Sequence, residues 1–265
     1  MRASIIKCGI SIPAVNFLNT KALYGLIGVG LFVSIWQALS ICFHEIIIAS
    51  PADTFLSLIK MVQTVDFWKN VWITIERFVL SVLLGSLIGF LLGLAAGLNA
   101  NIKWLLEPFR WSIMTMPPVV VVVVSMIWFG MGSIQTIFVT AILIIPIIYV
   151  NTIEGIEAMD AGILEMGRVY KANSRILLKE IYLPGIGGSV LAGLTLSAGL
   201  GIRIVVLAEL LGAYSGVGYE FSLARTNLDT PALFAWIMVC LFLGGFIDLC
   251  ILNPVRKRIM QWKEE

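Results

Sequence analysis

Residues 77–98 read RFVLSVLLGSLIGFLLGLAAGL, with one charge at the first position and none after it. About 20 predominantly apolar residues are what a helix needs to cross the hydrocarbon core of a bilayer. Within the run, Gly85, Gly89, Gly93 and Gly97 recur every fourth residue. That spacing places them on one helix face, where the backbone of a neighbouring helix can approach closely. The stretch therefore reads as a membrane span carrying a packing face.

Scanning outward for similar runs gives further spans at 22–43, 105–129, 133–152, 187–212 and 232–252. The predicted fold is all-α, a polytopic membrane protein with six transmembrane helices. Composition agrees. Of 265 residues, 59% are hydrophobic and 13% charged, against about 25% charged in soluble domains, and the mean hydropathy is +0.98. The formal charge of +2 shows none of the clustered basic surface of a nucleic-acid binder. Cys8, Cys42, Cys240 and Cys250 have no CxxC spacing, and the single histidine, His44, has no ligand partner nearby in sequence, so neither disulfides nor zinc are expected. No GK[ST] phosphate loop occurs, so the chain binds no ATP by that route.

Lysine and arginine fix the expected orientation, because cytoplasmic connections carry their excess. Arg2, Lys7, Lys21, Lys103, Arg168, Lys171, Arg175, Lys179, Arg256, Lys257, Arg258 and Lys263 fall on one side; Lys60, Lys69 and Arg225 fall on the other, with Arg77 at a span mouth. Residues 1–21 and 253–265 are then cytoplasmic ends of a membrane domain covering 22–252, with an external segment 44–76 and a cytoplasmic loop 153–186. Arg2 and Lys7 precede only a short apolar stretch broken by Pro13, without a small-residue cleavage pattern, so the first segment is expected to persist. In the external segment, Ser50-Pro51 signals a helix start, and Phe55, Leu58, Ile59 and Val62 follow at helical spacing. Trp68 and Trp72 suit the membrane interface.

The remaining signals lie at unusual positions. Pro117-Pro118 removes two donors inside the third span, which predicts two half-helices whose freed carbonyls face protein or a watery cavity. Met116 and Pro117 are therefore candidates for the wall of a translocation path. A second small-residue row, Gly193, Ser197 and Gly201, lies in the fifth span together with Arg203 and Glu209. Charges there cost about 2.5–3.5 kcal/mol each on insertion scales, so they need partners or water. Both are pathway candidates, and the bland alternative pairs Arg203 with Glu209 or Asp248. Glu107 and Arg110 are spaced for a local pair. In the cytoplasmic loop, Ile163, Leu164 and Gly167 with Tyr170 mark an apolar face before a turn, and Ile176, Leu177, Glu180 and Ile181 follow at helical spacing until Leu183-Pro184. A helical hairpin this short must bury its apolar side against a partner.

Glu165-Met166-Gly167, then Lys171-Ala172, then Ile181-Tyr182-Leu183-Pro184 resemble the "EAA, then G, then I-x-L-P" loop of binding-protein-dependent ABC importer permeases. Ser50-Pro51-Ala52-Asp53, Ile75-Glu76-Arg77-Phe78, Glu107-Pro108, Met116-Pro117-Pro118, Trp128-Phe129-Gly130-Met131-Gly132, Ala208-Glu209 and Ser215-Gly216-Val217-Gly218-Tyr219 extend the likeness to the nitrate, sulfonate and taurine branch. The resemblance implies a type I importer permease in the bacterial or archaeal inner membrane. Two copies, most simply a homodimer, would enclose the path. Glu165, Gly167, Lys171, Ala172, Leu183 and Pro184 would couple to a separate cytoplasmic ATPase, and an external binding protein would deliver a small solute, an anion if Arg203 contacts it. The chain itself would be no enzyme and bind no cofactor, with ATP and Mg on the partner. It departs from the family pattern at Lys171, where the turn glycine is expected, at Met166 and Gly167, which replace two alanines, and at Arg203, where an apolar residue is expected. The competing class is a self-contained secondary transporter or channel, but such carriers usually show paired repeats with matching broken helices, and only the third span is broken here. An embedded enzyme would need a nucleophilic or metal constellation that the chain lacks.

Overall fold

The computed structural model describes residues 15–44, 46–170, 173–247 and 249. Its elements are α1 (Val15–Cys42), α2 (Pro51–Val62), α3 (Val65–Leu98), α4 (Ala100–Thr115), α5 (Pro118–Phe129), α6 (Ser133–Glu157), α7 (Ala161–Val169), α8 (Ser174–Ile176), a π-turn (Leu177–Tyr182), α9 (Leu183–Gly212), α10 (Val217–Thr226) and α11 (Thr230–Ile247). Five of these helices are long and apolar enough to cross a membrane, and α4 with α5 makes a sixth, bent span. The two ends of the bundle are distinct. At the hairpin end, α7, α8 and the π-turn connect α6 to α9; at the far end lie α2, α10 and the loops 130–132 and 213–216.

The helix starts follow from local chemistry. Ser50 caps α2 by accepting from Asp53 N at 3.1 Å, and Pro51 occupies the first turn, where its missing N–H costs nothing. The second span is longer than the 77–98 read from hydropathy. α3 begins at Val65, capped by Thr64, and at 1.5 Å per residue its 34 residues reach about 51 Å. The part of α3 before Arg77 holds Asp66, Lys69 and Glu76, so a search for uncharged runs stops short of it.

The break in the third span is a sharp elbow. The axes of α4 and α5 differ by 104°. Met116 and Pro117 each precede a proline, which excludes the helical region for them, and both are extended, with ψ of 128° and 133°. Pro118 then starts α5.

A second irregularity opens α9. Leu183 N bonds Leu178 O, five residues back rather than four. Pro184 offers no N–H, and its ring would press on the Glu180 carbonyl in a regular α-turn. Widening the turn to a π form relieves that contact.

The core is a three-helix stack with α6 in the middle. A Cβ added at Gly85 would lie 2.7 Å from Ala141 O, at Gly89 2.6 Å from Ile145 O, and at Gly93 2.8 Å from Thr152 Cβ, so α3 sits directly on the α6 backbone. On the other side of α6, a Cβ at Gly193 would meet Asn151 Cβ at 2.9 Å, and Gly155 of α6 lies as close to Ser189. The two small-residue rows thus do not face each other; both grip α6. Gly89→Ala should force α3 off α6 and lower stability by about 1–3 kcal/mol, the usual cost of overpacking. Gly28→Ala on α1, where a Cβ meets nothing within 4 Å, should leave the thermal midpoint of the detergent-solubilised protein unchanged. Equal midpoints for the two variants would contradict the close approach.

Candidate functional site

The far end of the stack holds a buried polar cluster. Glu209, on the last turns of α9, has no exposed surface. Its Oε1 accepts from Arg77 NH1 at 2.8 Å, its Oε2 accepts from Gly218 N at 3.0 Å, and Thr74 Oγ1 lies within hydrogen-bond reach of both oxygens. Arg77, 3% exposed, spends its other donors on Ser133 Oγ, at 3.1 and 2.9 Å, and on Ser215 O and Oγ, at 2.7 and 2.9 Å. Thr74 Oγ1 also accepts from Val217 N at 2.9 Å, and Asn70 accepts from Gly216 N at 2.8 Å while donating to Glu220 Oε1. A planar guanidinium with several donors satisfies such a site better than a point charge. Glu220 lies outside the spans, and there burial raises its carboxyl above the usual range, with Asp66 adding to the effect and the Asn70 bond opposing it.

Glu209 was a pathway candidate on sequence grounds, and a partner for Arg203. The structure corrects the second reading. The carboxylate is enclosed, and its cation is Arg77, 132 positions away. Arg203 lies six residues before Glu209 and so about 120° away around the helix. It is exposed, and no ion pair reaches it among the described residues. It lines a groove of about 570 Å³ between α9, α10 and α11 with Ile202, Val206, Phe221 and Leu241. Gly244 and Gly245 leave that groove open, since a Cβ on either meets nothing within 4 Å. Asp248, the other suggested partner, lies outside the described residues.

Met116 and Pro117 are exposed at the elbow between α4 and α5. Glu107 and Arg110 form the expected local pair, and Lys103 pairs with Glu157 at 2.5 Å, tying α4 to α6. Of the loop residues, Glu165 is exposed on α7, Gly167 lies on the same helix, and Leu183 and Pro184 are exposed on the first turn of α9. Lys171 and Ala172 lie outside the described residues. Sequence reading missed Asn70, Thr74, Ser133 and the role of Arg77, which enters there as a charge at a span mouth and as part of the Ile75-Glu76-Arg77-Phe78 motif. The available signal was depth: Arg77 and Glu209 sit at the same end of adjacent spans.

The family model described as "binding-protein-dependent transport system inner membrane component" matches residues 77–258, a range that takes in both members of the buried pair, the hairpin and Arg203. The chain belongs to this family. A Bacillus subtilis (strain 168) protein named as an aliphatic sulfonates transport permease is 27% identical over 90% of the chain and 87% of its own length. The Escherichia coli (strain K12) protein of the same name is 30% identical over 82% and 83%. The E. coli taurine transport system permease is 25% identical over 75% and 72%. Among solved structures, a chain of the inward-facing MetNI methionine ABC transporter superposes with a TM-score of 0.63 at 16% identity, covering 71% of this permease and 94% of that chain. The permease therefore has the type I importer fold, with Glu165, Leu183 and Pro184 at the hairpin end and the buried pair at the opposite end.

Proposed function

We propose that the permease works as a pair of identical copies enclosing a path for a small organic anion. In this reading an external protein delivers the solute and a cytoplasmic ATPase docks on residues 161–184. Both termini and the hairpin are cytoplasmic, and α2 and α10 are external. The charge asymmetry supports the orientation, since Arg168, Arg175 and Lys179 cluster at the hairpin end. The family's printed description supports the external binding protein. Aliphatic sulfonates and taurine in the names of relatives share an anionic sulfonate group, which supports a solute that presents one.

The observation that carries the anion reading is Arg203: an exposed guanidinium, free of ion pairs among the described residues, in a groove with apolar walls. A guanidinium stays charged at all physiological pH values and offers paired donors to sulfonate or carboxylate oxygens. Hydrogen bonds to charged groups contribute about 1.5–3 kcal/mol, so Arg203→Gln should reduce uptake of a short alkanesulfonate by about 10- to 100-fold while the complex still assembles. Uptake at the normal rate would remove Arg203 from the path. Loss of assembly would make it a structural cation instead.

A further inference from the structure

α10 is capped in an unusual way. The first N–H groups of an α-helix have no partner within the helix, and the common solution is a side chain on the residue just before it. That residue here is Gly216, which has no side chain to offer and a φ of +104°. A Cβ on it would lie 2.3–2.5 Å from the Glu209 carboxylate. The N–H groups are held from elsewhere in the fold: Gly216 N by Asn70 Oδ1 at 2.8 Å, Val217 N by Thr74 Oγ1 at 2.9 Å and Gly218 N by Glu209 Oε2 at 3.0 Å. A Cβ at Gly218 would lie 2.3 Å from Val206 O, so α10 also rests directly on the α9 backbone. The first turn of α10 is thus fastened to α9 and α3 by directional bonds.

We infer that Glu209 is a positioning residue of the transport cycle, fixing α10 to α9 while Asn70 and Thr74 tie the same turn to α3, so that a displacement of the hairpin arrives at the opposite membrane face as a displacement of α10. The inference rests on the proposed ATP-driven cycle and adds to it the outer end of the mechanical linkage. From the π-turn to Gly212 the chain is one unbroken helical segment of 36 residues, about 54 Å at 1.5 Å per residue. Its single proline, Pro184, lies in the first turn of α9, and Ser189, Gly193 and Gly201 lie against Gly155, Asn151 and Ile144 of α6, so a bend at the glycines of α9 would have to break that packing. Beyond the clasp, α10 packs on α3 and α11 through Val217, Ala224, Phe67 and Trp236. Apolar contacts of that kind can slide in small shear steps, whereas three oriented bonds and a backbone contact hold one geometry. Glu209 serves the cycle through the helix it fastens rather than by touching solute.

The test uses the permease purified from membranes with its ATPase, with its own cysteines replaced by alanine. Spin labels on Leu211→Cys, in the last turn of α9, and on Leu223→Cys, on the exposed side of α10, are each paired with a reference label on Leu31→Cys of α1. Distances are read before and after trapping with ATP and vanadate. In the otherwise unaltered chain the two distances should shift together. In Arg77→Met with Glu209→Leu, which removes the side-chain bond from α9 to Gly218 N, the Leu211 shift should persist and the Leu223 shift should be lost. A purely structural clasp would lower the melting temperature of the double variant and leave both shifts equal, which would overturn the inference. A Leu211 shift without a Leu223 shift in the unaltered chain would also overturn it while the ATP-driven reading stands. No shift at either label would sink both. The comparison in the unaltered chain decides even where the double variant does not assemble.

Discussion

Glu209→Ala is expected to destabilise the permease by about 3–5 kcal/mol, the cost of stranding one member of a buried ion pair. The substitution removes the acceptor for Arg77 NH1, for Thr74 and for Gly218 N at once. Arg77 keeps Ser133 and Ser215, but those groups are neutral and its charge is left enclosed. The pair as a whole need not be strongly stabilising, because desolvating both ions offsets much of their attraction. Replacing both, as Arg77→Met with Glu209→Leu, should therefore recover a large part of the loss. Denaturation midpoints of the detergent-solubilised single and double variants measure this directly. A loss below about 1 kcal/mol for Glu209→Ala, the range of an exposed pair, would contradict the burial described here.

Tyr170→Ala should weaken ATPase docking by about 2–4 kcal/mol, the range of an aromatic hot spot, or roughly 30- to 1,000-fold in affinity. Val169 and Tyr170 are 78% and 80% exposed at the tip of the hairpin, and Ile163, Met166 and Ile176 are open beside them. These apolar side chains have no cover among the described residues. Glu165→Ala, which removes an exposed carboxylate from the same helix, should cost less, about 1 kcal/mol, and should lower transport with membrane insertion intact. Retention of the ATPase on immobilised permease measures docking, and uptake measures coupling. Full retention with Tyr170→Ala would remove the hairpin tip from the interface.

The spans were legible because a bilayer demands long uncharged runs, and the elbow was legible because Pro117-Pro118 leaves the backbone no helical option. The 104° angle was not, since it depends on how α5 packs against α6 and α9. The part of α3 before Arg77 stayed hidden because its charges mimic a loop. α10 was missed for a related reason: it has 10 residues of mixed polarity, and its cap lies on α3 and α9 rather than beside it in sequence. The cost of burying Glu209 could be read from its place in a span. Its partner could not, because choosing between Arg203 and Arg77 requires knowing which way each helix is turned.

The π-turn at Leu177–Tyr182 has a consequence of phase. A π-turn holds one residue more than the α-turn it replaces, and each residue of an α-helix advances the side chains by about 100°. The hairpin is therefore rotated about the axis of α9 by roughly a quarter turn relative to where an uninterrupted helix would aim it. Deleting one residue from this turn would leave every side chain of α7 in place within its own helix and yet point the whole hairpin another way. The direction in which the permease presents its hairpin is set by a residue count against Pro184, much as a gear's timing is set by one tooth.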